Sequence, residues 1–223
     1  MRRKWPLTYI DLFAGPGRCV LKDGTEKEGS PLISLNYDFD RYVFVERNPA
    51  DFDALKRRCS KSPKISRIEF IQGDCNEVVG KINPSGLSLA FVDPTGIDVH
   101  FDTIQKLTAA RRVDLLMNIQ FGMDIKRNFQ RYLKKKQGSD LDLFLGGNVP
   151  WEEIKEPIDA IRLYQNRIKR LNYATVEYHI VEVRNTREVP MYFLFFASKH
   201  PRGLDFWKKV NAKDETGQYE FPL

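Results

Sequence analysis

The chain has few of the residues that hold metal ions or disulfide bridges. It contains three cysteines and three histidines among 223 residues. Cys19, Cys59 and Cys75 form no Cys-x-x-Cys pair, and an odd number of thiols gives no disulfide framework. The histidines are too scattered to have the spacing of zinc ligands. The sequence therefore predicts a reduced, cytoplasmic protein without a metal site.

Long apolar runs, repeats and linkers are also missing. No segment approaches the roughly 20 apolar residues that a membrane-spanning helix needs. The basic start of the chain is interrupted by Asp11 and has no small-residue cleavage site. We therefore interpret it as the entry to a first strand and not as a signal peptide. Because no repeat, low-complexity tract or Pro/Gly-rich linker divides the sequence, we expect one domain over residues 1–223.

Positive charge is present in excess. Lys and Arg number 36 against 30 Asp and Glu, for a formal net charge of +6. Residues 126–136, KRNFQRYLKKK, hold six of these basic residues and no acid. Two interpretations stay open for this segment, a solvated helix face or a surface that contacts the phosphates of a nucleic acid.

Short apolar segments alternate with helical patterns along most of the chain. The predicted strands are rich in Val, Ile, Leu and Phe and mostly do not alternate, as expected of strands covered on both faces. They cover residues 7–13, 41–46, 67–72, 87–93 and 113–119. Ser30 before Pro31, Asn48 before Pro49, and Asp74 with Glu77 indicate helix starts between the strands. Such βα units in series predict a parallel, doubly wound sheet.

The C-terminal part breaks this alternation. Residues 174–183 and 189–198 are two β-rich segments joined by five residues, too few for a crossover helix, so the strands must be antiparallel. A mostly parallel doubly wound sheet closed by an antiparallel C-terminal hairpin is the arrangement of Rossmann-like class I methyltransferases, which use S-adenosylmethionine. We therefore predict this α/β fold class.

The first strand runs into a glycine turn, YIDLFAGPGRCV. In a doubly wound sheet the ligand lies beyond the carboxyl ends of the strands, where Gly15 and Gly17 are found. A dinucleotide fingerprint would need a third glycine at position 20, which is Val20. Twelve residues also separate Gly17 from Ser30, so a pyrophosphate on the next helix is poorly supported. This 18–29 insertion could cover the ligand as a lid, with a hairpin turn at Asp23-Gly24.

Acidic residues follow the next three strands. Glu46 could accept two hydrogen bonds from a ribose diol. Asp74 could accept from an adenine amino group, or only cap its helix. Asp93 lies where the transferred group should arrive, or caps a helix before Pro94. The predicted cofactor residues are Asp11, Phe13, Gly15, Pro16, Gly17, Glu46, Arg47, Asp74, Cys75 and Asp93. Cys75 is better interpreted as a small residue in a helix's first turn than as a nucleophile.

The remaining candidates concern catalysis and the acceptor. Asp93 and Thr95 are the predicted catalytic residues, because Asp93 could receive a proton or orient an amine. The predicted acceptor-side residues follow the fifth strand and are Asn118, Gln120, Asp124, Lys126 and Arg127. The alternative is a polar loop capped by Asp124. Residues 137–152 are either a substrate-binding insertion or a plain connection.

Seven segments together resemble the three-Cys-motif partner protein (TcmP) family. They are YIDLFAGPGRC, GSPLISL, YVFVERNP, GDCNEVV, FVDPTGIDVHFDTI, GMDIKRN and SKHPRGLDFWKKV, and they extend from Tyr9 to about Val210. The resemblance implies a methyltransferase-like fold and a partner protein that carries a three-cysteine motif. It implies no settled substrate.

Three functions are consistent with these patterns. The leading hypothesis is an S-adenosylmethionine-dependent methyltransferase that acts on nucleic acid or another phosphate-rich acceptor. The second is a catalytically silent S-adenosylmethionine-binding subunit, because Asp93-Pro94-Thr95-Gly96 lacks the stacking aromatic that follows Asp/Asn-Pro-Pro in enzymes acting on base amines. A nicotinamide-dependent oxidoreductase is disfavoured by Val20 and by the terminal hairpin.

Overall fold

A computed structural model describes residues 5–21, 23–109, 112–173, 180–184 and 190–210. The chain divides into two compact units, one formed by residues 1–94 and 99–113 and the other by residues 95–98 and 114–223. The single domain expected from the sequence stays a prediction.

The first unit is built on four parallel strands. These are β1 (Leu7–Asp11), β4 (Arg41–Glu46), β5 (Ile68–Gln72) and β6 (Leu87–Val92), in the order β5-β4-β1-β6. The chain moves outward from β1 to β4 and β5, and then returns to place β6 on the other side of β1. The winding direction therefore reverses between β1 and β6, which is where open α/β sheets bind ligands.

The helices of the first unit begin where the sequence predicts. They are α1 (Ser30–Ser34), α2 (Pro49–Cys59), α3 (Cys75–Val78) and α4 (Phe101–Thr108). Asn48 caps α2, with its side-chain oxygen accepting from the amides of Ala50 at 2.9 Å and Asp51 at 3.2 Å. The Asp74 carboxylate caps α3 by accepting from the Asn76 amide at 2.9 Å. Both predicted caps are confirmed.

The cap predicted for α1 is wrong. Gly29 occupies the N-cap position, and no side chain caps this helix. Ser30 is instead the first helical residue, and its hydroxyl donates to Asp11 Oδ2 at 2.6 Å. A buried carboxylate needs hydrogen-bond donors more than a partly exposed helix end needs an acceptor, so the hydroxyl turns toward Asp11.

The core of the first unit lies between its sheet and α2. Tyr9, Tyr42 and Phe44 on the strands pack with Leu55 and Cys59 of the helix. Phe52, Leu55 and Cys59 are the buried residues of α2, and their spacing of three and four places them on one face. Burial of each such large side chain contributes about 1.5–3 kcal/mol.

The predicted lid segment forms a separate two-stranded hairpin. Strands β2 (Arg18–Val20) and β3 (Glu26–Glu28) pair antiparallel. The Leu21 amide donates to the Thr25 carbonyl at 2.8 Å, and Gly24 has a φ of +82°. The hairpin turn predicted from Asp23-Gly24 is therefore confirmed.

The second unit contains the antiparallel strands. β7 (Val113–Ile119) pairs with β9 (Pro190–Ala197), and β9 pairs with β8 (Ile180–Arg184), both antiparallel. The part of the predicted C-terminal hairpin within residues 174–179 and 185–189 lies outside the described residues. The protein is thus a mixed α/β fold with a mostly parallel sheet and a C-terminal antiparallel pair, as the sequence predicts.

The helices of the second unit follow one irregular turn. Residues Phe121–Lys126 form a π-helical turn that continues into α5 (Arg127–Lys135). Then come α6 (Asp140–Leu145), α7 (Pro157–Ile168) and α8 (Pro201–Val210). Residues 137–152 contain α6, which packs on α7 through stacked rings of Phe144 and Tyr164 whose centroids lie 4.3 Å apart. A role for this segment in substrate binding stays a prediction.

Three further observations concern the described residues alone. No helix there has the length and apolar character needed to cross a bilayer. No His, Cys, Asp and Glu side chains in that part of the chain cluster in a way that could hold a metal ion. The three cysteines are free thiols, exposed at Cys19 and buried at Cys59 and Cys75.

Candidate cofactor-binding site

The turn after β1 is held against the ends of its neighbouring strands. The Leu12 amide donates to the Phe91 carbonyl at 3.1 Å, and the Ala14 amide donates to the Val45 carbonyl at 2.9 Å. The chain then reverses through Gly15 and Gly17, which have φ angles of +58° and +82°. Such left-handed conformations favour glycine, so both glycines are needed to make the turn.

The two glycines differ in their surroundings. A Cβ atom built on Gly17 would lie 3.1 Å from Leu55 Cδ1, so the turn presses on α2 at this point. A Cβ atom on Gly15 would have no atom of the described residues within 4 Å. The Gly15 side of the turn is therefore open to a ligand.

Glu46, the last residue of β4, fixes the turn. Its Oε2 accepts from the Gly15 amide at 2.8 Å, and its Oε1 accepts from the Asn48 amide at 2.7 Å. The side chain is half-buried. A carboxylate offers about four lone-pair positions, so each oxygen can still accept one further hydrogen bond from a ligand.

Asp74 and Arg47 lie at the ends of the neighbouring strands. Asp74 caps α3 and also faces Arg47, whose Nη1 lies 3.4 Å from Asp74 Oδ2. Arg47 has 72% of its side chain exposed, so this ion pair is mostly solvated and weak. Cys75 begins α3 and is buried, as expected of a small residue in a first turn. Contact of these residues with a cofactor stays a prediction.

Asp11 ends β1 and is fully buried. Its Oδ2 accepts from the Ser30 hydroxyl at 2.6 Å and lies 3.5 Å from the Tyr9 hydroxyl, and its Oδ1 accepts from the Phe13 amide at 3.2 Å. Burial raises the pKa of Asp11 to about 7, the donors Ser30 and Phe13 oppose this, and the charge of Asp93 adds to it. Burial also raises the pKa of Tyr9, so this phenol stays protonated.

Phe13, Pro16 and Asp93 complete the predicted cofactor set. Phe13 and Pro16 are half-buried in the turn, and the Pro16 carbonyl accepts from Arg58 Nη1 at 2.5 Å. Asp93 directly follows β6 and is exposed. All ten predicted cofactor residues lie in the first unit, at or near the carboxyl ends of its strands.

Asp124 has a structural task in the second unit. Its Oδ1 accepts from the Tyr132 hydroxyl at 2.5 Å and from Asn128 Nδ2 at 3.0 Å, and its Oδ2 accepts from the Ile97 amide at 3.2 Å. A Cβ atom on Gly96 would lie 2.7 Å from Asp124 Oδ2. Asp124 therefore holds the loop of residues 95–98, which includes the predicted catalytic residue Thr95.

The other acceptor-side candidates also lie in the second unit. Asn118 and Gln120 are half-buried at the end of β7, and Lys126 and Arg127 are exposed where α5 begins. Thr95 is exposed as well. Their roles in acceptor binding and catalysis stay predictions.

Sequence reasoning missed three residues of these networks. Tyr9 could have been found, because residues i and i+2 of a strand share a face and Asp11 lies two residues on. Ser30 and Tyr132 had no such signal, since their hydroxyls reach Asp11 and Asp124 from separate helices.

Comparisons with known proteins identify the fold. No protein-family model and no curated protein sequence matches the chain. Among solved structures, the O-methyltransferase TomG from Streptomyces achromogenes, in complex with S-adenosylmethionine, is 10% identical with a TM-score of 0.50, over 88% of this chain and 74% of that one. A fibrillarin pre-rRNA processing protein from Methanococcus jannaschii is 13% identical with a TM-score of 0.50, over 86% of this chain and 66% of that one. At such identities the likeness shows the class I S-adenosylmethionine-dependent methyltransferase fold alone.

Proposed function

We propose that the chain is an S-adenosylmethionine-dependent methyltransferase whose acceptor is nucleic acid or another phosphate-rich molecule. The observation that carries this proposal is the open Gly15 turn, with Glu46 bound to its amide, at the point where the first unit reverses its winding. The class I methyltransferase fold supports it.

The residues of the first unit fit this cofactor. Glu46 has lone pairs left for the two hydroxyls of a ribose, and the open face of Gly15 lets a ligand approach the backbone closely. Asp74 and Arg47, after the next strand, would lie beside the adenine. When bound, S-adenosylmethionine supplies a methyl group activated by a positively charged sulfonium.

The chain's own residues would position the acceptor and manage one proton. Asp93 would orient an amine or hydroxyl and accept its proton, which requires only that the carboxylate be ionised and within hydrogen-bond reach. Thr95 would act from the loop that Asp124 holds in place. Orientation of donor and acceptor is the largest contribution that such a site can make to an in-line transfer.

The basic surface of α5 supports a phosphate-rich acceptor. Arg131 lies 3.4 Å from Asp140, and Lys136 lies 3.1 Å from Glu152. The other four basic residues of this segment are exposed and have no acidic partner among the described residues; they are Lys126, Arg127, Lys134 and Lys135. Unpaired cations on one helix suit contacts with the phosphates of a nucleic acid.

A three-Cys-motif protein is the partner that the sequence resemblance favours, and we include it in the proposal. The alternative is a cytoplasmic subunit that binds the cofactor but does not transfer the methyl group. Two observations favour this alternative, the Asp-Pro-Thr-Gly sequence after β6 and the use of the Asp124 carboxylate for loop contacts.

The first test is calorimetric titration of S-adenosylmethionine and S-adenosylhomocysteine into the wild type and two variants. Glu46→Ala removes the ribose acceptor and should weaken binding by about 10- to 100-fold, since a hydrogen bond to a charged group contributes about 1.5–3 kcal/mol. Asp102→Ala removes an exposed acid of α4 that pairs with Lys106, and it should bind as the wild type does. Absence of binding by the wild type would overturn the proposed cofactor.

Transfer of a labelled methyl group to nucleic-acid and protein fractions then separates the two functions. The assay is run with and without the three-Cys-motif partner. Label in nucleic acid supports the proposal. Cofactor binding without label in any fraction, with the partner present, would overturn the enzyme and favour the silent subunit.

A further inference from the structure

A fully buried carboxylate lies at the candidate site without a cation to balance it. Asp11 is 0% exposed, and its partners are the hydroxyls of Ser30 and Tyr9 and the amide of Phe13. No Lys, Arg or His side chain contacts it in the described part of the chain. An ionised carboxylate in such surroundings is costly unless a positive charge comes near.

The groups around Asp11 balance two opposite effects. The Ser30 hydroxyl and the Phe13 amide donate to the carboxyl group and favour its charged form. Burial and the nearby charge of Asp93 favour its neutral form, and the pKa of about 7 records how closely the effects balance. Among the titratable groups that face Asp11, Tyr9 is on β1 and Asp93 follows β6, while α1 contributes only the uncharged Ser30.

The position of Asp11 puts it under the cofactor. It is the last residue of β1, its register partner on β6 is Phe91, and Asp93 follows two residues later. β1 and β6 are the strands between which the winding reverses, so a ligand in the Gly15 turn lies directly over their ends.

We infer that Asp11, held by Ser30 and Tyr9, makes the site select the sulfonium form of the cofactor by losing a proton when S-adenosylmethionine binds. This inference rests on the proposed cofactor. In the free protein near neutral pH much of Asp11 is the neutral acid. On binding, its proton goes to solvent, and the carboxylate that forms faces the positive charge of the sulfonium.

The product should be bound differently. S-adenosylhomocysteine has a neutral thioether, so it offers less compensation for an ionised Asp11, and the carboxyl group takes a proton back from solvent. Asp11 thus favours the methyl donor over the product increasingly as the pH rises. This preference would assist release of the product after transfer.

Isothermal titration calorimetry tests the proton exchange. Each ligand is titrated into the full chain at about pH 6, 7 and 8, in phosphate and in Tris, whose ionisation enthalpies differ. The dependence of the binding heat on the buffer gives the number of protons released. For a group that must ionise from a pKa of about 7, affinity for S-adenosylmethionine should rise by about tenfold between pH 6 and 8. For S-adenosylhomocysteine, both the proton release and the pH dependence should be smaller.

Three variants make the test specific. Asp11→Asn keeps an acceptor for the Phe13 amide and cannot ionise, so it should remove both the proton release and the preference for S-adenosylmethionine. Ser30→Ala removes the hydroxyl that favours the charged form, so it should move the pH dependence to higher pH. Asp142→Asn is the control, because it neutralises a buried acid of the second unit and should leave proton release unchanged.

The outcomes are separable from those of the proposed function. Binding of S-adenosylmethionine that is independent of pH and of buffer would overturn the inference and leave the cofactor proposal intact. No binding at any pH would overturn both. If Asp11→Asn fails to fold, the shift in Ser30→Ala decides alone, and an unshifted pH dependence there contradicts the inference.

Discussion

At the scale of single residues, the candidate site depends on carboxylates that hold backbone amides. Glu46 binds the amides of Gly15 and Asn48, and Asp124 binds the amide of Ile97. Asp11 binds the amide of Phe13 but lacks a cation, so its ionisation opposes folding. The three acids therefore shape the loops of the fold before any ligand is present.

The pH dependence of stability should report on Asp11. Its pKa of about 7 in the folded protein exceeds the value of about 3.9 in an unfolded chain, so the folded state binds more protons between these values. The stabilising contribution is complete below about pH 4 and is lost as the pH rises through about 7, by up to about 4 kcal/mol. Urea unfolding of the wild type and Asp11→Asn should show the variant gaining relative stability from pH 5 to pH 8. Parallel pH curves for the two proteins would contradict this.

Gly96 should tolerate no side chain. A methyl group there would lie 2.7 Å from the Asp124 oxygen, which Tyr132 and Asn128 keep from moving away. Gly96→Ala should therefore cost about 1–3 kcal/mol in the free energy of unfolding. Gly80→Ala is the control, because a methyl group there meets open space, and its effect should stay within about 1 kcal/mol. Equal stabilities in thermal denaturation would show that the 95–98 loop moves away freely.

At the scale of elements, the hairpin of β2 and β3 is joined to the first unit mainly at its base. The Gly29 amide donates to the Gly17 carbonyl at 2.9 Å. All six residues of the two strands are exposed, and Arg18 pairs with Glu26 at 2.9 Å. An exposed ion pair of this kind contributes at most about 1 kcal/mol. Packing thus gives the hairpin little reason to exist, which supports the predicted role as a lid.

Shortening the hairpin should separate folding from ligand binding. Cys19 and Lys27 are paired across the strands, so replacing residues 20–26 with Asn-Gly joins them through a two-residue turn. The melting temperature should change little, because no buried side chain is lost. Dissociation of S-adenosylmethionine should become faster if the hairpin covers the ligand. An unchanged dissociation rate in stopped-flow measurements would exclude the lid.

At the scale of the whole molecule, the net charge of +6 arises from small local excesses, of which α5 and its flanking lysines are one. Nucleic-acid affinity from such a surface depends on salt, because each phosphate contact releases counterions. The position of the charges, and not only their sum, decides whether they can contact phosphates together.

Charge reversal on α5 should weaken nucleic-acid binding and lower its salt dependence. The double variant Lys134→Glu, Lys135→Glu removes two of the exposed cations, and each lost phosphate contact should reduce the slope of log affinity against log salt by about 0.9. The double variant Lys27→Glu, Lys81→Glu changes the net charge equally and leaves α5 intact. Fluorescence anisotropy with a labelled oligonucleotide measures both. Equal losses in the two variants would mean that α5 is not a binding surface.

Local patterns predicted most of the elements. The five parallel-type strands lie within two residues of their predicted ends, and Asn48 and Asp74 cap the predicted helices. These features depend on neighbours in sequence, such as apolar runs, a cap before a proline and a glycine at a positive φ. The π-helical start of α5 was not predicted, because it follows from the contacts that Asp124 makes after folding.

The sequence by itself determined the fold class, the position of the glycine turn and the acids that follow the strands, because these depend on residue type and short spacing. Only the tertiary structure decided what those acids do. Asp11 meets Ser30 across 19 residues, Glu46 meets Gly15 across 31, and Asp124 meets Ile97 across 27. No local pattern specifies such pairs, since they form only when separate elements pack and a buried polar group must find a partner.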